Sequence, residues 1–152
     1  MLAQQPLIEA LRNPAIFGGN CAAVEVVETH ISWVLLTGAH AYKIKKAVTL
    51  SFLDFGSLAA RRRCCEAELR LNRRLAPALY VDVIAITGSS AQPVIGGPGP
   101  AIEYAVRMRE FPQSALLSRI AARGELVAAD IDALAATVAS FHQRIAVAPP
   151  DA

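Results

Sequence analysis

Three strand-like runs followed by a long stretch without Gly or Pro constrain the fold of this chain most strongly. The runs AAVEVVET (22–29), ISWVLLTG (31–38) and AHAYKIKKAV (39–48) are rich in β-branched and aromatic residues and predict three strands. A turn over Thr37–His40 would join the last two as a hairpin. Residues 58–75 contain neither Gly nor Pro and follow Ser57, a typical N-cap, so they predict one long helix. Hairpin-linked strands with an inserted helix indicate an antiparallel sheet with a helix packed on one face.

The remainder of the chain adds strands first and helices later. QPLIEALRN (5–13) predicts a short amphipathic helix, and residues 79–87 and 101–111 predict two more strands around a turn-rich break, SSAQPVIGGPGP. After Pro112 the pattern is helical and rich in Ala. We therefore expect an α+β fold with about five antiparallel strands and one long helix in residues 1–111. Residues 112–152 would begin a helical lobe.

Composition excludes several classes of protein. The chain is 54% hydrophobic and 18% charged, which is typical of a globular soluble protein rather than a disordered one. No apolar run reaches the ~18 residues of a transmembrane span, and the N-terminus lacks the pattern of a secretory signal. Cys21, Cys64 and Cys65 match no metal-binding spacing, so we expect reduced thiols and a cytoplasmic protein.

The charged part of the third strand is the first candidate site. In AYKIKK (41–46), alternation places Lys43 and Lys45 on one face and Lys46 on the other. A solvated edge strand would also carry such charges, as protection against aggregation. Alternatively, a strand lysine can pair with a helix glutamate and so be held in place for nucleotide phosphates, as in protein kinases. Glu66 and Glu68, near the middle of the predicted helix, are the candidate partners.

A family resemblance rests on four segments. AYKIKK, SFLDFGSL, RRRCCEAELRLNRRLAP and AIEYAVRMREFPQSALL together resemble the N-terminal part of an aminoglycoside-phosphotransferase-like kinase domain. Such a domain begins bacterial bifunctional aminoglycoside phosphotransferase/ATP-binding proteins. The resemblance extends from roughly Leu7 to His142. It implies a protein-kinase-like N-lobe, followed by the first helices of a helical lobe, and binding of ATP or GTP with Mg²⁺ in the complete domain.

The resemblance also implies roles for particular residues. Lys43 matches the phosphate-contacting lysine of the third kinase strand, with Lys45 as the alternative. Glu68 would be its partner on the helix, with Glu66 as the alternative.

Adenine would be held at the end of the fifth strand. The backbone near Glu110 and Phe111 resembles the hinge between kinase lobes, with Met108 flanking the base. Val34 and Ala41 would form part of an apolar roof over it.

The departures from the family pattern limit what the chain can do. It has no GxGxxG loop, so phosphate contacts near the first turn would come from backbone amides, Thr29, His30 or Ser32. No HGD- or HRD-like loop and no metal-binding Asp of the family pattern are found, so we expect neither a catalytic residue nor a metal ligand within the chain. The expected partners are a nucleotide and either the remainder of a longer kinase protein or a second copy bound through the exposed lobe face.

A binding module is the alternative interpretation. The segment RRRCCEAELRLNRR could form a basic helix that contacts nucleic acid or an acidic protein. The net charge of +2, the glutamates on the same helix and an aromatic content of 6% make nucleic acid the less favoured partner.

Overall fold

A computed structural model describes residues 4–19 and 21–147 of the chain. The chain divides into two compact units, Met1–Glu110 and Phe111–Ala152. The domains suggested by sequence, 1–111 and 112–152, remain a prediction about which parts of the protein fold independently.

The first unit is built on a six-stranded antiparallel sheet with strand order β1-β2-β3-β8-β6-β7. The eight strands described in the unit are β1 Glu25–Glu28, β2 Ser32–Leu36, β3 His40–Lys45, β4 Thr49–Leu50, β5 Leu53–Asp54, β6 Tyr80–Gly88, β7 Pro93–Ile95 and β8 Glu103–Arg109. Strands β4 and β5 form a separate two-stranded hairpin. β8 lies between β3 and β6 and pairs with both, so the last strand in sequence is central in the sheet.

The three predicted N-terminal strands form the expected hairpins. Thr37 closes the β2–β3 turn, because its hydroxyl and amide both bond the carbonyl oxygen of His40, at 2.8 and 3.0 Å. Gly38 in that turn has φ of +87°, a conformation that residues with a Cβ rarely adopt. The predicted turn is therefore confirmed.

Four α-helices are described in the two units: α1 Gln5–Ala10, α2 Leu58–Asn72, α3 Leu117–Ala122 and α4 Ala128–Arg144. Ser57 caps α2 as predicted, since its Oγ accepts a hydrogen bond from the amide of Ala60 at 3.1 Å. The helix ends at Asn72 rather than at the predicted Leu75. Arg73 follows, and its guanidinium donates to the carbonyl oxygens of Tyr80 and Val81 at the start of β6.

Both faces of the sheet are covered in the first unit, whereas the sequence predicted a helix on one face. One face carries the hydrophobic core, to which α1 contributes Leu7 and Ile8, and Leu11 just after the helix belongs to the same core. Trp33 and Ile44, on neighbouring strands, are buried in the same core. Helix α2 packs over β6 and β8 on the other face. Successive side chains of a strand therefore point to two covered faces of the sheet, rather than alternately to the core and to solvent.

Two short hairpin elements were missed by the sequence. The turn-rich break contains β7, which begins at Pro93 and forms one edge of the sheet. Proline is tolerated at the first position of an edge strand because no ladder hydrogen bond is lost there. The connection SFLDF includes parts of the β4–β5 hairpin, with Phe52 81% exposed in the turn between them. Strands of two or three residues are too short to show the alternation of apolar and polar side chains from which strands are predicted.

A buried ion pair fixes α2 against the end of the sheet. Arg61 Nε lies 2.9 and 3.0 Å from the two carboxylate oxygens of Glu103, and both side chains are buried. Arg61 also donates to the carbonyl oxygens of Phe55 and Gly56. Gln4, the residue before α1, also donates to Glu103, at 2.5 Å. The two charges are thus paired with each other and with further hydrogen bonds, which buried charges require.

The second unit consists of a 3₁₀ turn, Gln113–Ala115, followed by α3 and α4. The start of α4 is closed by Asp130, whose carboxylate accepts from the amide of Val127 at 3.2 Å. Leu134 and Val138, one helical turn apart on α4, are 50% and 39% exposed. Among the residues that the structure describes, no helix is long and apolar enough to span a bilayer.

The two ion pairs that α2 makes through Arg61 and Arg62 should contribute very differently to the free energy of unfolding. Glu103→Ala leaves the buried guanidinium of Arg61 without its counterion, and we expect a loss of about 3–5 kcal/mol in the free energy of unfolding. Urea unfolding followed through the fluorescence of Trp33, the only tryptophan of the chain, measures this for the first unit.

Glu66→Ala is the matched control, because Glu66 pairs with Arg62 on the exposed side of the same helix. It should change the urea midpoint little. Equal effects of the two substitutions would contradict the structural role of the buried pair.

Candidate functional site

Two lysines of β3 meet a single glutamate of α2. Lys43 Nζ lies 2.9 Å from Glu68 Oε1, and Lys45 Nζ lies 2.6 Å from Glu68 Oε2. Each carboxylate oxygen therefore binds one ammonium group. The structure brings together Lys43, Lys45 and Glu68, and we call these three residues the lysine–glutamate cluster.

The strand period and the sheet register create the cluster. Lys43 and Lys45 are two residues apart on β3 and so lie on the same face, the one that α2 covers. Lys43 pairs in register with Val34 on β2 and with Val106 on β8, so the cluster lies over the centre of the sheet rather than at its edge. The alternative of a solvated edge strand is wrong for β3, because it is flanked by β2 and β8.

Burial and charge act in opposite directions on Glu68, whose side chain is 13% exposed. Burial raises the pKa of its carboxyl group, while the hydrogen bonds from Lys45 and Lys43 lower that pKa more strongly. The net result is a pKa below the ordinary value of 4.5, so the carboxylate is ionised at neutral pH. Two ammonium groups and one carboxylate give the cluster a formal charge of +1.

Neutral groups surround the inner part of the cluster. The ring centroid of Phe55 lies 4.9 Å from Lys45 Nζ. Burial raises the pKa of the Cys65 thiol to about 12, with Lys45 opposing and Glu68 adding to that rise. Burial and the charge of Glu68 also raise the pKa of Tyr80. Cys65 is therefore a protonated thiol at neutral pH, and it is no candidate nucleophile.

Glu66 does not face the lysines. Its carboxylate binds Arg62 Nε at 2.8 Å, one helical turn away on the exposed side of α2. Lys46 lies on the opposite face of the sheet from the cluster, where it binds Glu28 at 2.6 Å and lies over the Trp33 ring. Of the two candidate partners, Glu68 contacts both lysines and Glu66 contacts neither in the described structure.

Three of the residues assigned to the base pocket share the face of the cluster. Ala41 pairs in register with Met108 of β8 and lies two residues before Lys43. Val34 pairs with Lys43 itself. Ala41 is buried, whereas Val34 and Met108 are half-buried. Their part in holding a base stays a prediction.

Glu110 has a role that the sequence did not suggest. Its carboxylate accepts hydrogen bonds from the amides of Thr37 and Gly38, at 2.8 and 2.7 Å, and so fixes the β2–β3 turn. Its own amide donates to the carbonyl oxygen of Ala39. The carbonyl oxygen of Phe111 accepts from the Gln113 side chain at 3.4 Å. The predicted adenine contact would therefore depend on backbone groups near Glu110 other than its amide.

Thr29 is occupied within its own turn. Its hydroxyl and its amide both donate to the carbonyl oxygen of Ser32, and its hydroxyl also accepts from the Ser32 amide. His30 is exposed, and Ser32 Oγ is buried without a hydrogen-bond partner in the part of the chain that the structure describes. A phosphate contact from Thr29 would require it to give up bonds that close the β1–β2 turn.

Sequence reasoning missed the shared carboxylate and the buried support beneath it. Lys43 and Lys45 are alternatives in the sequence, whereas in the structure both bind Glu68. Nothing in the local sequence pattern singles out Glu103 or links it to Arg61, 42 positions away. Within residues 4–19 and 21–147, no cluster of His, Cys, Asp or Glu could hold a metal ion.

Comparison with known proteins gives relatives but no function. The chain is 35% identical over 121 residues to an uncharacterized protein of Mycobacterium bovis, and to uncharacterized proteins of two Mycobacterium tuberculosis strains. Each match covers 80% of this chain and 23% of the relative, so the chain spans about a quarter of their length. No protein-family model matches the chain. No solved structure matches it either.

The lowered pKa of Glu68 predicts a dependence of stability on pH. A depressed folded-state pKa contributes stability that is present above the unfolded value of about 4.5 and is lost as the pH falls through the folded value. Glu68→Gln removes this titration. We expect wild type to exceed this variant in free energy of unfolding at neutral pH, and the difference to shrink progressively below about pH 4.5.

Urea unfolding monitored by Trp33 fluorescence over a pH series measures that difference. Glu66→Gln is the control, since its carboxylate is half exposed and pairs only with Arg62 among the described contacts. A wild-type advantage over Glu68→Gln that is the same at pH 3 and pH 7 would contradict the assignment.

Proposed function

We propose that this chain is the nucleotide-binding part of a small-molecule phosphotransferase with a protein-kinase-like N-lobe. The observation that carries the proposal is the contact of Lys43 and Lys45 on β3 with Glu68 on α2. A strand lysine paired with a helix glutamate is the arrangement by which kinases hold an ammonium group for nucleotide phosphates. The resemblance of AYKIKK and EAELRLNRRL to the aminoglycoside-phosphotransferase-like domains rests on the segments that form this contact.

The charge of the cluster favours an anionic ligand. One carboxylate neutralises one of the two ammonium groups, and the remaining positive charge is partly accessible because the Lys43 side chain is 31% exposed. A charge-assisted hydrogen bond to a phosphate oxygen would satisfy it. Nucleotide phosphates supply such oxygens.

The apolar residues on the same face support a place for the base. Val34, Ala41 and Met108 belong to three adjacent strands, and the register sets them beside one another, next to Lys43. A ligand with a flat aromatic ring at one end and phosphates at the other matches this order of side chains. Adenine and guanine nucleotides both have that form, and the proposal therefore names ATP or GTP.

The transfer reaction belongs to the whole protein in this proposal. In kinases, Mg²⁺ neutralises the phosphates and a catalytic Asp accepts the proton of the substrate hydroxyl group. The described residues offer no group of metal ligands, so the complete domain would have to provide them from elsewhere. The chain would then act together with the rest of a longer cytoplasmic kinase protein, and nothing in the site specifies the phosphate acceptor.

The contacts made by arginines of α2 and of the turn after it give less support to a basic-helix binding module. Arg61 is buried against Glu103, Arg62 pairs with Glu66, and Arg73 binds backbone carbonyl oxygens. These contacts direct much of the positive charge of the helix into the protein itself.

Ligand-dependent stability tests the proposal. Thermal unfolding of the full chain is followed with millimolar ATP or GTP, each with and without Mg²⁺. We expect nucleotide to raise the melting temperature, because a ligand that binds only the folded state stabilises it, by about 2.7 kcal/mol at one hundred times the dissociation constant. Lys43→Ala should abolish most of this rise.

Lys46→Ala is the matched control, since Lys46 is a paired lysine of the same segment on the opposite sheet face. It should alter the melting temperature without ligand but keep the increment that nucleotide produces. The proposal fails if no nucleotide stabilises the wild-type chain, or if both substitutions reduce the increment equally.

A further inference from the structure

The two lysines of the cluster differ in how they are held. The Lys45 side chain is 6% exposed, lies 2.6 Å from Glu68 Oε2 and packs against the ring of Phe55. The Lys43 side chain is 31% exposed and lies 2.9 Å from Glu68 Oε1. Lys45 is therefore enclosed by protein, whereas Lys43 has one side open to solvent.

Removing each lysine from Glu68 would have a different consequence. If Lys43 turns away, Glu68 keeps Lys45 as its counterion, and no buried charge is left unpaired. If Lys45 leaves, an almost fully buried ammonium group loses its carboxylate, which is strongly unfavourable. Lys43 is thus the lysine that can exchange its partner for a ligand.

The other ion pairs of the first unit that contain a buried cation do not offer this exchange. Arg61 faces Glu103 one to one, and Lys46 faces Glu28 one to one. A ligand that took Arg61 would strand the buried carboxylate of Glu103. Lys46 pairs with the largely exposed Glu28, but its own side chain is only 9% exposed, so a ligand has little access to it. Only in the lysine–glutamate cluster, among the ion pairs described for this unit, does a second cation share the carboxylate.

We propose that Lys45 is a positioning residue that neutralises and fixes Glu68, so that Lys43 is free to pass from Glu68 to an anionic ligand. This inference rests on the proposed function, since it assigns separate tasks to the two lysines of the same site. Lys43 contacts the ligand, Glu68 holds Lys43 when no ligand is bound, and Lys45 keeps Glu68 in place throughout.

Binding of ATP and of inorganic triphosphate to lysine and glutamate variants tests the division. We expect Lys43→Met to weaken binding at least about tenfold, the effect of losing one charged hydrogen bond. Lys45→Met should also weaken binding about tenfold, because Lys43 then becomes the only counterion of Glu68 and is retained by it. Calorimetric titration of the full chain gives the affinities.

Two double variants separate positioning from direct contact and from net charge. The first combines Lys45→Met with Glu68→Gln, and the second combines Lys43→Met with Glu68→Gln. Each leaves one lysine and a formal charge of +1 in the cluster. We expect the first to recover binding, because Lys43 is released, and the second to stay weak, because Lys45 is enclosed. Recovery by both would show that charge alone matters. Recovery only by the second would show that Lys45 contacts the ligand, and recovery by neither would show that releasing Lys43 from Glu68 does not restore binding. Each of these outcomes overturns the inference.

A ligand-free measurement keeps the inference testable apart from the proposed function. Acetylation rates of individual lysines are measured by mass spectrometry, with paired Lys46 as the internal reference. We expect Lys43 to react several-fold faster than Lys45 in wild type and to slow in Lys45→Met, while Lys45 stays protected in Lys43→Met. Equal rates for Lys43 and Lys45, or a Lys43 rate that Lys45→Met leaves unchanged, would overturn the inference.

The two proposals fail in different ways. If wild type binds neither ATP nor triphosphate, the proposed function fails, and the acetylation rates alone decide whether Lys45 holds Glu68. If wild type binds and the double variants give the wrong pattern, only the assignment of Lys45 fails. Thermal unfolding of every variant confirms that affinities are compared between folded proteins.

Discussion

The contact of two strand lysines with one helix glutamate links the sheet to its covering helix. Glu68 is the only residue of α2 that binds β3 through ion pairs in the described structure, and it does so with both carboxylate oxygens. The face of the sheet beneath α2 is therefore partly polar, unlike the face beneath α1, which carries the hydrophobic core. A buried polar cluster is stable only where its hydrogen bonds are made, so the position of α2 and the pairing of the lysines depend on each other.

The balanced pair of Arg61 and Glu103 makes this dependence possible. It lies two helical turns before Glu68 and anchors the start of α2 to β8 and, through Gln4, to the N-terminal segment. Because those charges are matched, they add rigidity without attracting a ligand. The unmatched charge of the lysine–glutamate cluster lies farther along the same helix, on a site whose backbone is already fixed. Such a division between a neutral anchor and a charged site is a form of preorganisation.

The sequence predicted structure where side chains alternate regularly along a strand. It did not predict contacts between residues that are far apart in the chain. Alternation in AYKIKK placed Lys43 and Lys45 on one face and Lys46 on the other, and the structure confirms this. The cap at Ser57 and the turn at Gly38 followed from local chemistry. Neither β7 nor the burial of Glu103 could be predicted, because one has three residues and the other depends on a partner across the sheet. Local patterns carry no information about such partners.

The same alternation specifies the site and the core together. In β3, Tyr42 and Ile44 enter the core beneath α1 while Lys43 and Lys45 face α2. A shift of the strand by one residue would exchange the two sets, burying ammonium groups among Leu and Ile and leaving Glu68 opposite apolar side chains. Such a shift would cost free energy on both faces of the sheet. The register that buries the core is therefore also the register that aligns both lysines with their glutamate, so that a substitution that weakens the core packing of β3 would also displace the candidate site.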